Sequence, residues 1–206
     1  MTDPTPVVCV IDDDDSLRTA MSRLLKAAGY EVRTYASAGE FLLDTPASGP
    51  ACLLLDVQMP GPSGLDLQQA LEKRGQPLPI VFLTGHGDIP MSVRAMRAGA
   101  TDFLTKPVKR EVLLAAVQSA LARDSERRAG SAQLHLVRSR FETLTPRERV
   151  VFGHVVNGLL NKQIAGELGC SIRTVKIHRA RAMEKMQVGS LADLVRAAEL
   201  LRAHTS

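Results

Sequence analysis

The sequence predicts an α/β domain, a doubly wound parallel sheet with helices on both faces, followed by a small all-α domain. Three observations carry this. Between Val7 and Ala122, five short apolar runs each lead into a stretch of helical periodicity, and regular strand–helix alternation makes a parallel sheet with right-handed crossovers. From Phe141 onward the periodicity is purely helical. The charge divides near the same place: up to Arg123 there are 12 Lys and Arg against 14 Asp and Glu, and from Asp124 there are 14 against 8. A mildly acidic first part and a basic second part indicate two modules, the second suited to a polyanion.

Val7 to Ile11 reads as a buried strand with four aspartates, Asp12 to Asp15, at its exit. A helix over Ser16 to Ala28 follows from the spacing of Leu17, Met21, Leu24 and Leu25, with Gly29 as its stop. Glu31 to Tyr35 is the second strand, Ser37 to Leu43 a short helix, and Ala51 to Leu55 the third strand. A continuous apolar run of this length, bounded by Gly and Pro, is how a strand covered on both faces looks. The turn Gly61-Pro62-Ser63-Gly64 precedes a helix from Leu65 to Lys73. Pro79 to Leu83 is the fourth strand and Ile89 to Ala98 its helix. Thr101 to Thr105 is the fifth strand, followed by Lys106-Pro107 and a helix from Val108 to Ala122.

Residues 1–122 therefore form the first domain. Residues 123–141 are Arg-rich, with Gly130 and Ser131 in the middle, and read as a part-helical linker. Its Leu134, Leu136 and Val137 are available to dock on either module. Residues 142–206 form the second domain. Three cysteines with no metal spacing fit buried or incidental thiols in a reducing compartment. No apolar run approaches the ~20 residues of a membrane span, and Met1 to Pro6 lacks the regions of a signal peptide. A cytoplasmic protein with no membrane association is expected.

In an open α/β sheet, ligands bind beyond the carboxyl ends of the strands. At that edge strand one delivers Asp12 and Asp13, strand three Asp56, strand four Thr84 and strand five Lys106. Singly, an aspartate at a strand exit is most often a turn residue or a helix cap, as Asp14 and Asp15 are expected to be. Together, clustered carboxylates repel one another unless a cation sits among them. Oxygen ligands with room for water favour Mg²⁺. A hydroxyl and an ammonium beside such a metal suit the oxygens of a bound anion. The set describes a site where Asp56 attacks phosphorus and becomes an acyl phosphate.

In the second domain, Thr145-Pro146-Arg147-Glu148 is a helix start with a capping box. That helix runs to Val156, before Asn157-Gly158. Asn161 is expected to cap a short helix through Leu168, with Ile164, Ala165 and Leu168 inward. After the turn Gly169-Cys170-Ser171, a longer helix runs to Met186, and Ser190 caps a last one to Ala203. Two helices joined by a short turn with Gly form a helix-turn-helix. On the second, Val175, His178, Ala182, Met183 and Met186 are expected inward. Arg173, Lys176, Ile177 and Ala180 share an outward stripe, with Arg181 beside it. Apolar groups among cations suit a base-reading face that meets thymine methyls, and Thr174 is placed to reach phosphate. A basic, solvated helix in an ordinary bundle is the plainer alternative.

Several of these motifs resemble known families. Val10-Ile11-Asp12-Asp13-Asp14, Leu55-Asp56-Val57-Gln58-Met59-Pro60-Gly61, Leu83-Thr84-Gly85 and Lys106-Pro107 resemble the receiver domain of two-component response regulators, over residues 6–123. The resemblance implies strand order 2-1-3-4-5 and phosphorylation of Asp56 by a partner sensor histidine kinase. It implies Mg²⁺ held by Asp13, Asp56 and the backbone carbonyl of Gln58, with Asp12 acting through water. Thr84 and Lys106 would bind the phosphoryl oxygens. Phe103 matches the family's switch aromatic, and a plain core phenylalanine is the equal alternative. Thr84 to Met91 is similar to the FixJ branch, and Gln58 and His86 fall where the family tunes phosphoryl lifetime. Leu144 to Glu148, Lys162 to Ala165 and Ser171 to His178 resemble the LuxR/NarL-type DNA-binding domain, which implies dimers on inverted half-sites of double-stranded DNA.

The resulting expectation is a transcription factor, not an enzyme, switched by phosphorylation of Asp56 and dimeric when phosphorylated. A haloacid-dehalogenase-like phosphatase also uses an aspartyl phosphate, but it needs a second Asp two residues on, where this chain has Gln58. A phosphorylation-independent DNA binder is disfavoured by the intact set of Asp12, Asp13, Asp56, Thr84 and Lys106. A phosphate-relay module is disfavoured by the basic second domain.

Overall fold

The computed structural model describes residues 5–45, 47–75, 77–85 and 89–203. The chain divides into two compact units, Met1–Arg128 and Ala129–Ser206. The first holds β1 (Val7–Ile11), α1 (Asp15–Ala27), β2 (Glu31–Tyr35), α2 (Ala38–Leu43), β3 (Ala51–Leu55), α3 (Gly64–Lys73), β4 (Ile80–Thr84), α4 (Ile89–Arg97), β5 (Asp102–Thr105) and the start of α5 (Arg110–Glu142). The second holds the end of α5, then α6 (Pro146–Val156), α7 (Asn161–Leu168), α8 (Ile172–Met186) and α9 (Leu191–Arg202).

All five strands are parallel, in the order β2-β1-β3-β4-β5, as expected. Alternate residues of each strand face opposite layers. Val7, Cys9, Ile11, Leu53, Leu55 and Phe82 pack with Ala38, Leu67, Leu71 and Ala95 of α2, α3 and α4. Val8, Val10, Cys52, Leu54, Val81 and Leu83 pack with Leu25 of α1 and Leu113, Val117 and Ala120 of α5. β1 and β3 are buried at every position, which is why both read as unbroken apolar runs rather than alternating ones.

The register sets the site. Ile11 lies opposite both Tyr35 and Leu55, so Asp12 and Asp56 leave the sheet side by side, and the Asp56 N–H donates to the Ile11 carbonyl at 2.9 Å. Thr84 pairs with Thr105, and the next residue, Lys106, donates its N–H to the Thr84 carbonyl at 2.8 Å. Asp14 caps α1 by accepting from the Ser16 and Leu17 amides, and Ser63 caps α3 in a full capping box with Asp66.

Residues 123–141, expected as a part-helical linker, are helical throughout, because α5 is one helix from Arg110 to Glu142. Gly130 costs a helix only about 1 kcal/mol relative to Ala, and the Ala, Arg, Glu, Gln and Leu around it are strong helix formers. Within the first unit, Asp124 is completely buried. It accepts from the Ala51 N–H at 2.9 Å, from Arg127 at 2.6 Å and from Arg128 at 2.6 Å.

In the second unit, Val137 and Phe141 of α5 pack into a core with Leu144, Phe152, Ile164, Val175 and Leu194. Thr145 and Glu148 form the capping box of α6 with Pro146 in its first turn, and Ser171 and Ser190 cap α8 and α9. At α7 the expectation is corrected. Leu160 is the N-cap and Asn161 the first helical residue. The side chain that serves this end belongs to Gln163, whose Oε1 accepts the Leu160 N–H at 2.7 Å, leaving Asn161 Oδ1 to accept from Arg179 at 3.3 Å. Gly169 ends α7 with φ of 60°, a left-handed conformation that only Gly adopts freely.

Candidate functional site

Asp12, Asp13 and Asp56 meet at the carboxyl edge of the sheet, each offering an oxygen within 4.8 Å of the others. Asp12 and Asp56 are buried and Asp13 is exposed, so the cluster is open on one side only. Asp56 Oδ1 accepts the Gln58 N–H at 3.1 Å and Oδ2 accepts Lys106 Nζ at 2.8 Å. The same ammonium reaches Asp12 Oδ2 at 2.6 Å. Asp12 Oδ1 takes the Asp14 N–H at 2.9 Å.

The electrostatics are those of crowded acids around one cation. Burial pushes the Asp12 carboxyl above its usual range, opposed by the Lys106 hydrogen bond and the Asp14 amide, while the Asp56 charge adds to the push. Burial works against the Lys106 ammonium, but its hydrogen bonds to Asp12 and Asp56 outweigh that and raise its pKa. One ammonium does not relieve three carboxylates. An all-oxygen donor set, open to water at Asp13, fits a hard divalent cation.

Thr84 is buried at the end of β4. Phe103 is half-buried on β5, its ring tilted 44° to that of Phe82 with centroids 6.1 Å apart. Gln58 is exposed. His86 lies outside the described residues. A cavity of ≈ 600 Å³ opens between Gln58 and Met59 on one side and Pro90, Met91 and Arg94 of α4 on the other.

Two residues of this unit escaped sequence reasoning, Arg18 beside the acid cluster and Asp124 at the far end of β3. Arg18 sends Nη1 to the Asp12 carbonyl at 2.6 Å and Nη2 to Asp15 at 2.9 Å. The three-residue spacing from Asp15 was the available signal. For Asp124 the available signal was the three- and four-residue spacing to Arg127 and Arg128, whereas its β3 partner, the Ala51 N–H, is 73 positions away.

Gly64 lets α3 begin against the phosphoacceptor strand. A Cβ there would lie 2.3 Å from the Asp56 carbonyl oxygen and 3.1 Å from both Leu55 Cγ and Phe82 Cε1. Only Gly lets α3 start this close to β3.

In the second unit, Val175, Ala182 and Met186 anchor α8 in the core, and His178 and Met183 are half-buried. Arg173, Lys176, Ile177 and Ala180, the four residues of the stripe, are exposed, and so is Arg181 beside them. Thr174 is half-buried, and its Oγ1 lies 2.9 Å from Ser171 Oγ. An exposed cationic stripe interrupted by Ile177 and Ala180 has the makeup of a helix that enters a major groove.

Comparison with known proteins agrees with both parts. Residues 8–118 match the response regulator receiver domain, and residues 142–198 match the luxR family of bacterial regulatory proteins. Nodulation protein W of Bradyrhizobium diazoefficiens is 48% identical over 195 residues, covering 95% of this chain and 86% of that protein. Response regulator protein TodT of Pseudomonas putida is 44% identical over 202 residues, covering 98% and 89%. Among solved structures, the response regulator StyR superposes with a TM-score of 0.85 at 46% identity, covering 95% of this chain and 98% of its own. Full-length FixJ from B. japonicum gives a TM-score of 0.58 at 38% identity over 98% and 99%.

Proposed function

The chain belongs to the response regulators that carry a luxR-family DNA-binding domain, and from that premise we propose a phosphorylation switch centred on Asp56. Residues 1–122 receive the signal, residues 142–206 act on DNA, and 123–141 join them, in a protein of the cytoplasm. The observation that carries the proposal is the shared ammonium: Lys106 Nζ bridges Asp12 and Asp56 at 2.6 and 2.8 Å.

A phosphohistidine of a sensor histidine kinase donates the group. An Asp56 carboxylate oxygen forms the new O–P bond as the P–N bond breaks, and that electron pair stays on the imidazole nitrogen. Mg²⁺, when bound, supplies charge neutralisation for the phosphoryl oxygens. Asp12, Asp13, Asp56 and the backbone carbonyl of Gln58 would hold it. Lys106 stays protonated between its two acids and turns to a phosphoryl oxygen. Thr84 supplies a hydroxyl to another. Burial of Asp12 and Asp56 limits water at the acyl phosphate.

The new charge and acceptor oxygens bias the edge of β4 and β5. The cavity beside Met91 gives the first turn of α4 room to shift, and Phe103 turns inward as the switch aromatic. The altered face, roughly Ile89 to Val117, favours a homodimer. In the dimer, Arg173, Thr174, Lys176, Ile177, Ala180 and Arg181 contact inverted half-sites in double-stranded DNA. Carrying such a switch from 1:99 to 99:1 takes about 5.5 kcal/mol of differential stabilisation.

The test is incubation with acetyl phosphate and Mg²⁺, followed by intact-mass measurement and native gel analysis. One phosphoryl group is expected on wild type and none on Asp56→Asn. An adduct that survives Asp56→Asn would overturn the site, and a phosphorylated protein that stays monomeric would overturn the dimer.

A further inference from the structure

The C-terminal end of α8 is tied to something outside the helix-turn-helix. Arg140, in the last turn of α5, donates from Nη2 to Gln187 Oε1 at 2.5 Å. Gln187 is the residue that ends α8. Two residues back, Lys185 of α8 donates to the Thr143 carbonyl at 3.3 Å and to Glu148 at 2.7 Å. The end of α5 is itself held. Val137 is buried, the rings of Phe141 and Phe152 meet edge-on at 5.3 Å, and Arg149 stacks over Phe141. Arg149 also caps the chain after α5 through the Glu142 and Leu144 carbonyls at 2.9 and 3.0 Å.

We propose that Arg140 is a positioning residue for DNA reading, setting the axis of the recognition helix through Gln187. A helix held by one buried stripe, here Val175, Ala182 and Met186, resists leaving the core better than it resists rolling along it. The groove-facing stripe needs its roll fixed to within a side chain's reach, since a small misplacement removes bidentate contacts to bases before it removes attraction to phosphates. A tie at the far end of α8 supplies that constraint, and its source is α5. Arg140 is half-buried, and its Nε is buried with no partner among the described residues, so the side chain is held in place by packing with the fork aimed at Gln187. Gln187 has φ of 54°, a left-handed backbone that costs any non-Gly residue. At a position where Gly would fit with less strain, this chain carries an amide that accepts the Arg140 hydrogen bond.

The inference rests on α8 being the DNA reader. The experiment uses the full chain, phosphorylated with acetyl phosphate, and a duplex enriched by wild type from a random-sequence library. The readout is the ratio of affinity for the enriched duplex to affinity for a scrambled one. Arg140→Met and Gln187→Gly are each expected to lower that ratio about threefold to tenfold, with the affinity for scrambled DNA unchanged. The double variant is expected to lose no more than either single. Gln187→Gly relieves the left-handed backbone, so its melting temperature is expected at or above that of wild type, which separates positioning from folding. Either single keeping the wild-type ratio overturns the inference, and so do fully additive losses, because Arg140 would then act without Gln187. Arg173→Ala is the control for the reader: if it keeps the wild-type ratio, α8 is not the reading helix and the inference falls with that reading.

Discussion

Lys106 and Asp56 lie 50 residues apart in sequence and 2.8 Å apart in space, and the same ammonium contacts Asp12 at 2.6 Å. The strand register sets the two buried acids side by side at the sheet edge, and the cation offsets their repulsion there.

Removing it therefore exposes their repulsion. Lys106→Ala is expected to lower the stability of the first unit by about 1–3 kcal/mol, the cost of leaving charged groups without their partner. Added Mg²⁺ should recover more stability in the variant than it adds to wild type, since it then meets uncompensated carboxylates. Urea unfolding with and without Mg²⁺ checks both, and an equal Mg²⁺ effect on the two proteins would contradict the electrostatic account.

Gly64 should tolerate no side chain. With a Cβ 2.3 Å from the Asp56 carbonyl oxygen, Gly64→Ala has to push α3 away from β3. A destabilisation of about 1–3 kcal/mol is expected from overpacking. Slower phosphorylation by acetyl phosphate should accompany it, because the displaced atoms belong to the phosphoacceptor's own backbone. A stable variant phosphorylated at the wild-type rate would show that the loop yields without cost.

Asp124 is expected to matter for stability and not for chemistry. It lies at the opposite end of β3 from Asp56 and accepts from Ala51, Arg127 and Arg128. Burial pushes its carboxyl up, but the Ala51 N–H and the two guanidiniums outweigh this and hold it below the usual range. Asp124→Asn should cost about 2 kcal/mol while leaving the extent of phosphorylation unchanged. Chemical unfolding and intact-mass measurement separate the two effects.

Glu148 makes the second unit acid-sensitive. The Lys185 hydrogen bond, with the Thr145 amide, holds its carboxyl at about 2 instead of near 4.5. A carboxyl whose pKa is lower folded than unfolded binds more protons when unfolded, so its contribution is complete above about pH 4.5 and is lost as pH falls toward 2. Helical signal followed through an acid titration should fall in that window, and Glu148→Gln should flatten the slope there. An unchanged slope would place the sensitivity on other acids.

Much of the site was legible because its residues sit where local rules place them. Asp12, Asp56, Thr84 and Lys106 each stand at or just past the end of a short apolar run, and parallel sheets gather such ends at one edge. The stripe on α8 was legible because helical spacing assigns faces without reference to neighbours. Reading the linker was harder. Gly130 and Ser131 look like interruptions, yet each is a small local cost set against a long run of favourable helix formers. The start of α7 is not legible for a related reason: Asn161 and Gln163 both offer a side-chain oxygen, and backbone geometry at Leu160 chooses between them.

By itself the sequence determined the strands and helices, the parallel sheet, the acid cluster and the basic helix, because each follows from composition and spacing within a few turns of chain. Only the tertiary structure decided that Asp124 is a buried anchor, that Arg18 props the Asp12 carbonyl, that Gly64 must be Gly, and that Arg140 meets Gln187. Asp124 with Ala51 and Arg140 with Gln187 join positions 73 and 47 residues apart, where spacing carries no information, and the Arg18 and Gly64 contacts depend on how the chain turns just past a strand end, which composition and periodicity do not set.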